Sequence, residues 1–225
     1  MPTPKKKISL KLILFILSQL IILAVICFSL NLRRDRLQIS YLNPQYGHAF
    51  LLNQGDRQML FGTGNDSRIN EFLGKNMPFF DRHLDFLYLL SPKKKYIGGA
   101  KYLLERVTLE KVVTHTTQYQ SSLFRNFWTT AQETRASTSL LRDSLTSDHL
   151  YLEKIFSDDK RGELILRINF ANQKKIIFSN TSPRHQEEVL DSDRDLVADL
   201  VIYDGELSEK FYLSTGARDR VSLGE

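Results

Sequence analysis

Asp85 to Gly99 read DFLYLLSPKKKYIGG, and this stretch decides the fold. Phe86 to Leu90 is a continuous apolar run, the pattern of a strand covered on both faces. A short polar turn follows, with three consecutive lysines, Lys93, Lys94 and Lys95. The turn ends in Ile97-Gly98-Gly99, after which Ala100-Lys101-Tyr102-Leu103-Leu104 carries helical spacing. No histidine, cysteine or carboxylate lies between Ser91 and Gly99.

Outward from this strand, elements of both types alternate. Leu37 to Leu42 reads as a half-buried strand. His48 to Leu52 and Gln58 to Phe61 read as a hairpin around the Gln54-Gly55-Asp56 turn. Asp66 to Leu73 reads as a helix with Asp66 or Ser67 as its N-cap. Gly99 to Arg106 is a helix, and Lys111 to Thr114 is a short strand. Ser121 to Glu133 has Leu123, Phe124, Phe127 and Trp128 at helical spacing. In the second half, Leu150 to Phe156, Glu163 to Phe170 and Lys174 to Phe178 are strands. Ser182 to Leu190 is a helix with Pro183 near its start, and Ala198 to Tyr203 is a buried strand. This order suits an α+β helix–sheet–sheet–helix sandwich over residues 37–225.

The order of elements and several local strings resemble the carboxy-terminal metallo-β-lactamase-like domain of ComEC-type DNA-uptake proteins. The resemblance runs from Leu37 to Tyr212. Asn43-Pro44-Gln45-Tyr46-Gly47-His48-Ala49 and Gly62-Thr63-Gly64 stand where that family has Asp-Val-Gly-Gln-Gly-Asp-Ala and Asp-Gly-Gly. The family's His-x-His-x-Asp-His falls on Ser91, Lys93, Lys95 and Tyr96. Its metal-bridging Asp falls on Asn180, and Gly205-Glu206-Leu207-Ser208 replaces its last histidines. The family binds zinc or manganese, but these residues are not ordinary ligands. Zinc takes neutral imidazole, thiolate or carboxylate, and a lysine ammonium repels the ion. The expectation is therefore a degenerate site with no cofactor. The family usually adds a helix and a strand at its end, whereas Phe211 to Glu225 reads as a shortened or rebuilt version.

Residues 8–30, ISLKLILFILSQLIILAVICFSL, are almost wholly apolar. As a helix they would span about 34 Å, enough for a bilayer core of about 30 Å. Cys27-Phe28-Ser29-Leu30 offers no small-x-small cleavage site, so an uncleaved single-pass anchor is expected. Residues 1–7 form a basic flank and residues 31–36 a basic juxtamembrane linker. The amino side holds the slightly larger positive charge, which places the amino terminus in the cytoplasm and the main domain outside it. Residues 1–36 carry seven of the 31 Lys/Arg and one of the 26 acids, net +6, so residues 37–225 are net −1. The basic balance belongs to the membrane flanks and excludes a broadly basic nucleic-acid-binding domain. The one cysteine, Cys27, lies in the apolar run, so residues 37–225 have neither disulfides nor thiolate ligands.

The five histidines, at 48, 83, 115, 149 and 185, are never closer than 32 residues, so no paired-ligand motif exists. A site rebuilt from His48 or His115 with Asp204 or Glu206 is the less favoured alternative. Asp191, Asp193 and Asp195 begin like a calcium loop, but Leu196 and Ile202 occupy its sixth and twelfth positions. Ser91-Pro92-Lys93-Lys94 matches Ser-x-x-Lys without the further motifs of serine acyl-enzymes. Lys93, Lys94 and Lys95 read first as a solvated basic turn. Their second reading is a small anion site for a phosphate or single-stranded DNA.

The function expected is a membrane-anchored, catalytically inactive binding or scaffold module. The resemblance implies DNA uptake or envelope DNA handling, with a membrane-protein partner. The alternative is an active metal-dependent phosphodiesterase or nuclease with a relocated metal site.

Overall fold

The computed structural model describes residues 15–25, 37–78, 80–119, 121–134, 136–147, 150–170, 174–192 and 194–224. Two six-stranded sheets form the centre. The first holds β1 (Leu37–Tyr41), β2 (Phe50–Gln54), β3 (Arg57–Phe61), β4 (His83–Leu89), β5 (Thr108–Thr114) and β6 (Ser137–Leu140), side by side in that order. The second holds β7 (Ser144–Ser147), β8 (Leu150–Asp158), β9 (Glu163–Phe170), β10 (Lys174–Ser179), β11 (Leu200–Tyr203) and β12 (Asp219–Ser222), again in chain order. The helices are α1 (Arg68–Asn76), α2 (Lys94–Ile97), α3 (Ala100–Leu104), α4 (Ser122–Glu133), α5 (Pro183–Leu190) and α6 (Glu209–Thr215).

Strands β1 to β3 are antiparallel and need only turns between them. Strands β3 to β6 are parallel, so each step needs a crossover, and helices supply it. Those helices cover the outer face of the first sheet. Ile69, Phe72 and Leu73 of α1, Leu103 of α3, and Phe124, Phe127 and Ala131 of α4 pack on Leu60, Leu87, Leu89 and Val112. Between the sheets lie Phe50, Phe61, Phe86, Tyr88, Leu152, Leu166, Phe178 and Ile202. Phe211 of α6 and Val189 of α5 close the outer face of the second sheet on Ile165 and Ile177. Three apolar layers thus separate four structural layers, the expected helix–sheet–sheet–helix order. Strand β4 sends Phe86 and Tyr88 to one layer and Leu87 and Leu89 to the other, which explains its unbroken apolar run.

The carboxy-terminal end needs correction. Residues read as shortened or rebuilt form α6 and a parallel edge strand, β12, so the second sheet is completed. Ser208 caps α6 through its hydroxyl, and Gly216 ends it in the left-handed conformation, φ 60°. Both signals are in the sequence. Strands β6 and β7 were also not expected, because STSL and SLTS are short and polar. At α1, Ser67 holds the N-cap place without a side-chain bond, and Asp66 Oδ1 accepts from the Arg68 N–H instead.

Residues 15–25 are helical and exposed. No helix among the described residues is long and apolar enough to cross a membrane. The ends of the expected anchor, 8–14 and 26–30, lie outside the described residues, as do the flank 1–7 and the linker 31–36.

Candidate functional site

Four loops meet, those after β1, β3, β4 and β11. The first three are knitted together by their backbones. The His48 N–H donates to Lys95 O at 2.7 Å, and the Thr63 N–H donates to Tyr96 O at 2.7 Å. The Gly99 N–H donates to Gly64 O at 3.0 Å. This close approach explains the Gly-Gly pair. A Cβ at Gly98 would stand 2.2 Å from Asn65 O, and one at Gly99 would stand 2.1 Å from Thr63 O. The glycines are demanded by backbone packing, whatever the loop's chemistry.

The expected ligand positions form two hydrogen-bonded clusters. In the first, Asp204 follows β11 and is almost wholly buried. Its Oδ2 accepts from Lys95 Nζ at 2.5 Å and from the Tyr96 hydroxyl, and its Oδ1 lies 3.5 Å from His48 Nε2. Burial pushes the Asp204 carboxyl up, but the bonds from Lys95 and Tyr96 and the nearby charges hold it below the usual range. Burial pushes the His48 imidazole down, only partly opposed by the Asp204 charge. Burial, then the Asp204 charge, raises the Tyr96 hydroxyl well above its ordinary value. Tyr96 is therefore a neutral donor.

In the second cluster, Ser91 Oγ donates to Gly162 O at 2.9 Å, and Asn180 Nδ2 donates to the same oxygen at 3.1 Å. Asn180 Oδ1 accepts from the Leu164 N–H at 2.5 Å. Two of the ligand positions thus hold the β8–β9 turn by its own carbonyl. Gly162 has φ 65°, and a Cβ there would stand 2.7 Å from Pro92 Cδ and 2.8 Å from Ser91 Oγ. Lys93 and Lys94 are exposed, whereas Lys95 is turned in to Asp204. Lys93, Lys95, Asn180, Asp204 and Glu206 border one shallow depression of about 320 Å³.

These residues do not fit the metal pair of the fold family. His48, Asp204 and the bordering Glu206 are the ordinary donors here, and the Asp204 carboxylate already holds an ammonium and a phenol. A cation would have to displace both. The less favoured alternative in the sequence is half realised: His48 meets Asp204, but His115 does not. His115 lies under Tyr88, with Tyr119 Oη 2.6 Å from its Nε2, and burial pushes its imidazole down to about 3. Asp191 and Asp195 flank the end of α5, and Asp195 pairs with Arg167 and Lys175. Asp193 lies outside the described residues.

The sequence reading missed a different group of donors. His83, Asp85 and Glu110 each bring one ligand atom within 4.8 Å of the others, at the amino-terminal end of β4. His83 and Asp85 are two apart on a strand, a spacing that puts side chains on one face. The partner strand supplies Glu110, and only the β4–β5 register brings it near. This group tempers the expectation that the chain takes no metal.

No protein-family model matches the sequence, and no curated protein is similar enough to count as a match. Solved structures are similar. The metallo-β-lactamase fold protein YhfI from Bacillus subtilis superposes with a TM-score of 0.60 at 15% identity, over 84% of this chain and 87% of that one. Zinc-bound PqqB from Methylobacterium extorquens gives 0.51 at 15% identity, over 70% of this chain and 57% of that one. A possible metal-dependent hydrolase from Veillonella parvula gives 0.50 at 7% identity, over 84% of each chain. Together with the two sheets and their helical covers, these likenesses show that residues 37–224 have the metallo-β-lactamase fold.

Proposed function

We propose that this chain is a membrane-anchored, catalytically inert protein of the metallo-β-lactamase fold that works as a binding or scaffold module. One observation carries the reading. Where the family's ligands converge, Asp204 is held by Lys95 and Tyr96, so the protein supplies its own cation in place of a metal. The apolar run at 8–30 supports the anchor, with the amino terminus in the cytoplasm and the domain outside. The ComEC-like order of strings supports a role in DNA uptake or envelope DNA handling beside a membrane-protein partner. Any anionic ligand, single-stranded DNA included, would meet Lys93 and Lys94, the two turn lysines that face solvent.

The test is elemental analysis of the purified chain after dialysis, with a phosphodiester hydrolysis assay on the same sample. Substoichiometric zinc and manganese with no hydrolysis is expected. About one metal per chain together with turnover would overturn the reading. The second reading is an active phosphodiesterase or nuclease with a relocated site, and His83, Asp85 and Glu110 favour it. It requires that replacing His83 and Glu110 with alanine abolish both metal and turnover.

A further inference from the structure

The end of the first sheet opposite the site carries several features that its chemistry leaves unused. Phe80, in the turn between α1 and β4, is 90% exposed. An exposed phenyl ring keeps its apolar surface in water unless a membrane interface or a partner covers it. Beside it opens a cavity of about 540 Å³, lined by Leu73, Met77, Pro78, Arg82, Arg106 and Val107 among others. Its lining mixes these apolar side chains with two guanidinium groups. No carboxylate pairs with Arg82 or Arg106 among the described residues, although Asp81 and Glu105 line the same cavity. Asp81 is occupied: Oδ2 accepts from Gln58 Nε2 at 2.6 Å, and Oδ1 accepts from the His83 N–H at 2.9 Å. Two guanidiniums unpaired among the described residues, beside Leu73, Met77, Pro78 and Val107, suit a phosphate carried on a greasy body.

The strand register places these features beside the point where the chain enters the domain. Leu37 opens β1 opposite Gln54, and Gln54 lies opposite Arg57 across the hairpin. Met59 is level with Phe86, and His83 with Thr108. Leu37, the Gly55-Asp56 turn, His83 and Thr108 therefore share one end of the sheet. Phe80 and Arg82 immediately precede His83, and Arg106 precedes Thr108. Upstream of Leu37 come Arg33, Arg34 and Arg36, and before them the apolar run. Residues 31–36 can reach at most about 20 Å even when fully extended.

We propose that this end of the sheet is seated on the bilayer, with Phe80 in the interface and the Arg82–Arg106 cavity holding the phosphate of an anionic phospholipid headgroup. The inference rests on the anchored reading above. An aromatic tip beside basic groups is the chemistry by which protein surfaces hold to a membrane interface. The seating fixes an orientation. Strand β4 runs from His83 to Leu89 away from the membrane, so Asp204 and the lysine turn stand about 20–25 Å above the bilayer, open to a partner in the aqueous phase.

The test uses the full chain in lipid nanodiscs, with Cys27→Ser removing the one native thiol. Phe80→Cys carries a fluorophore, and Lys160→Cys, in the exposed β8–β9 turn at the site end, carries the same label as control. The probe is quenching by a lipid-borne quencher in phosphatidylcholine discs with and without phosphatidylglycerol. Quenching at position 80 at least about threefold above position 160 is expected, stronger with phosphatidylglycerol, and the lipid preference should vanish in R82A/R106A. Equal quenching at the two positions, or a preference unchanged in R82A/R106A, overturns the seating. Alkaline extraction of membranes reads the anchor separately. A chain released by alkali refutes the anchored reading and the seating with it. A chain that stays in the membrane with position 80 unquenched refutes the seating alone.

Discussion

Lys95 Nζ lies 2.5 Å from Asp204 Oδ2, and this one pair ties the turn after β4 to the end of β11. It joins the two sheets at the carboxyl ends of β4 and β11. The carboxylate is almost wholly buried, while the lysine side chain is 39% exposed, so water screens the ammonium but not the acid. The Tyr96 hydroxyl, buried beside it, donates to the same carboxylate oxygen.

Replacing Asp204 with alanine should therefore destabilise the domain. The cost should be about 1–3 kcal/mol, most of it from the stranded Tyr96 hydroxyl and less from the screened lysine. Lys95→Met should cost less than Asp204→Ala, because Tyr96 and His48 still face the acid. Urea denaturation of the three proteins measures the order.

Acid should weaken the fold in two stages. Below pH 6.5 an unfolded chain protonates its histidines, whereas the His115 imidazole in the fold resists protonation down to about 3. The unfolded state then binds more protons, so stability falls as pH is lowered across that window, by up to about 5 kcal/mol. The Asp204 carboxyl, depressed in the fold, contributes stability above the ordinary aspartate range and loses it only at lower pH. His115→Gln should flatten the slope between pH 6.5 and 3 and leave the loss below that range. Melting temperatures across pH check both.

Gly162→Ala should cost about 2–4 kcal/mol, since φ 65° and the contacts with Pro92 and Ser91 both oppose a Cβ. Ser91→Ala should cost about 1 kcal/mol, because Asn180 still holds the Gly162 carbonyl. A larger loss in Ser91→Ala than in Gly162→Ala would contradict this account of the Gly162 turn. Thermal melts of the two variants decide it.

Phe178→Ala should remove about 3–5 kcal/mol, because the ring is fully buried between the sheets against Phe50 and Tyr96. The same change at Phe80, which is almost free of contacts, should leave the melting temperature unchanged. A stability loss in Phe80→Ala would mean that the ring packs in the fold.

Periodicity and spacing were enough to read much of this protein. The apolar run of β4, the Gly-Gly after its turn and the hairpin at Gly55 carried the layered fold, because burial on two faces and close backbone approach restrict residue type locally. The absence of histidines from the Ser91–Tyr96 turn was equally plain. The apolar run at 8–30 is a property of composition, and the described residues hold only its middle. Polar edge strands such as β6 and β7 were not legible. Their backbone pairing is set by neighbours, and their side chains bear no pattern that burial would impose.

Only the tertiary structure decided what meets the turn after β4. Lys95 and Asp204 are 109 residues apart, and Ser91 and Gly162 are 71 apart, so no local rule couples them. The turn lysines looked alike in sequence, yet Lys95 alone is turned inward. The difference is the register of β11 beside β10, which carries one carboxylate to the mouth of the site. Likewise, Glu110 joins His83 and Asp85 because β5 lies parallel to β4 at that level, a pairing whose energy comes from the whole sheet.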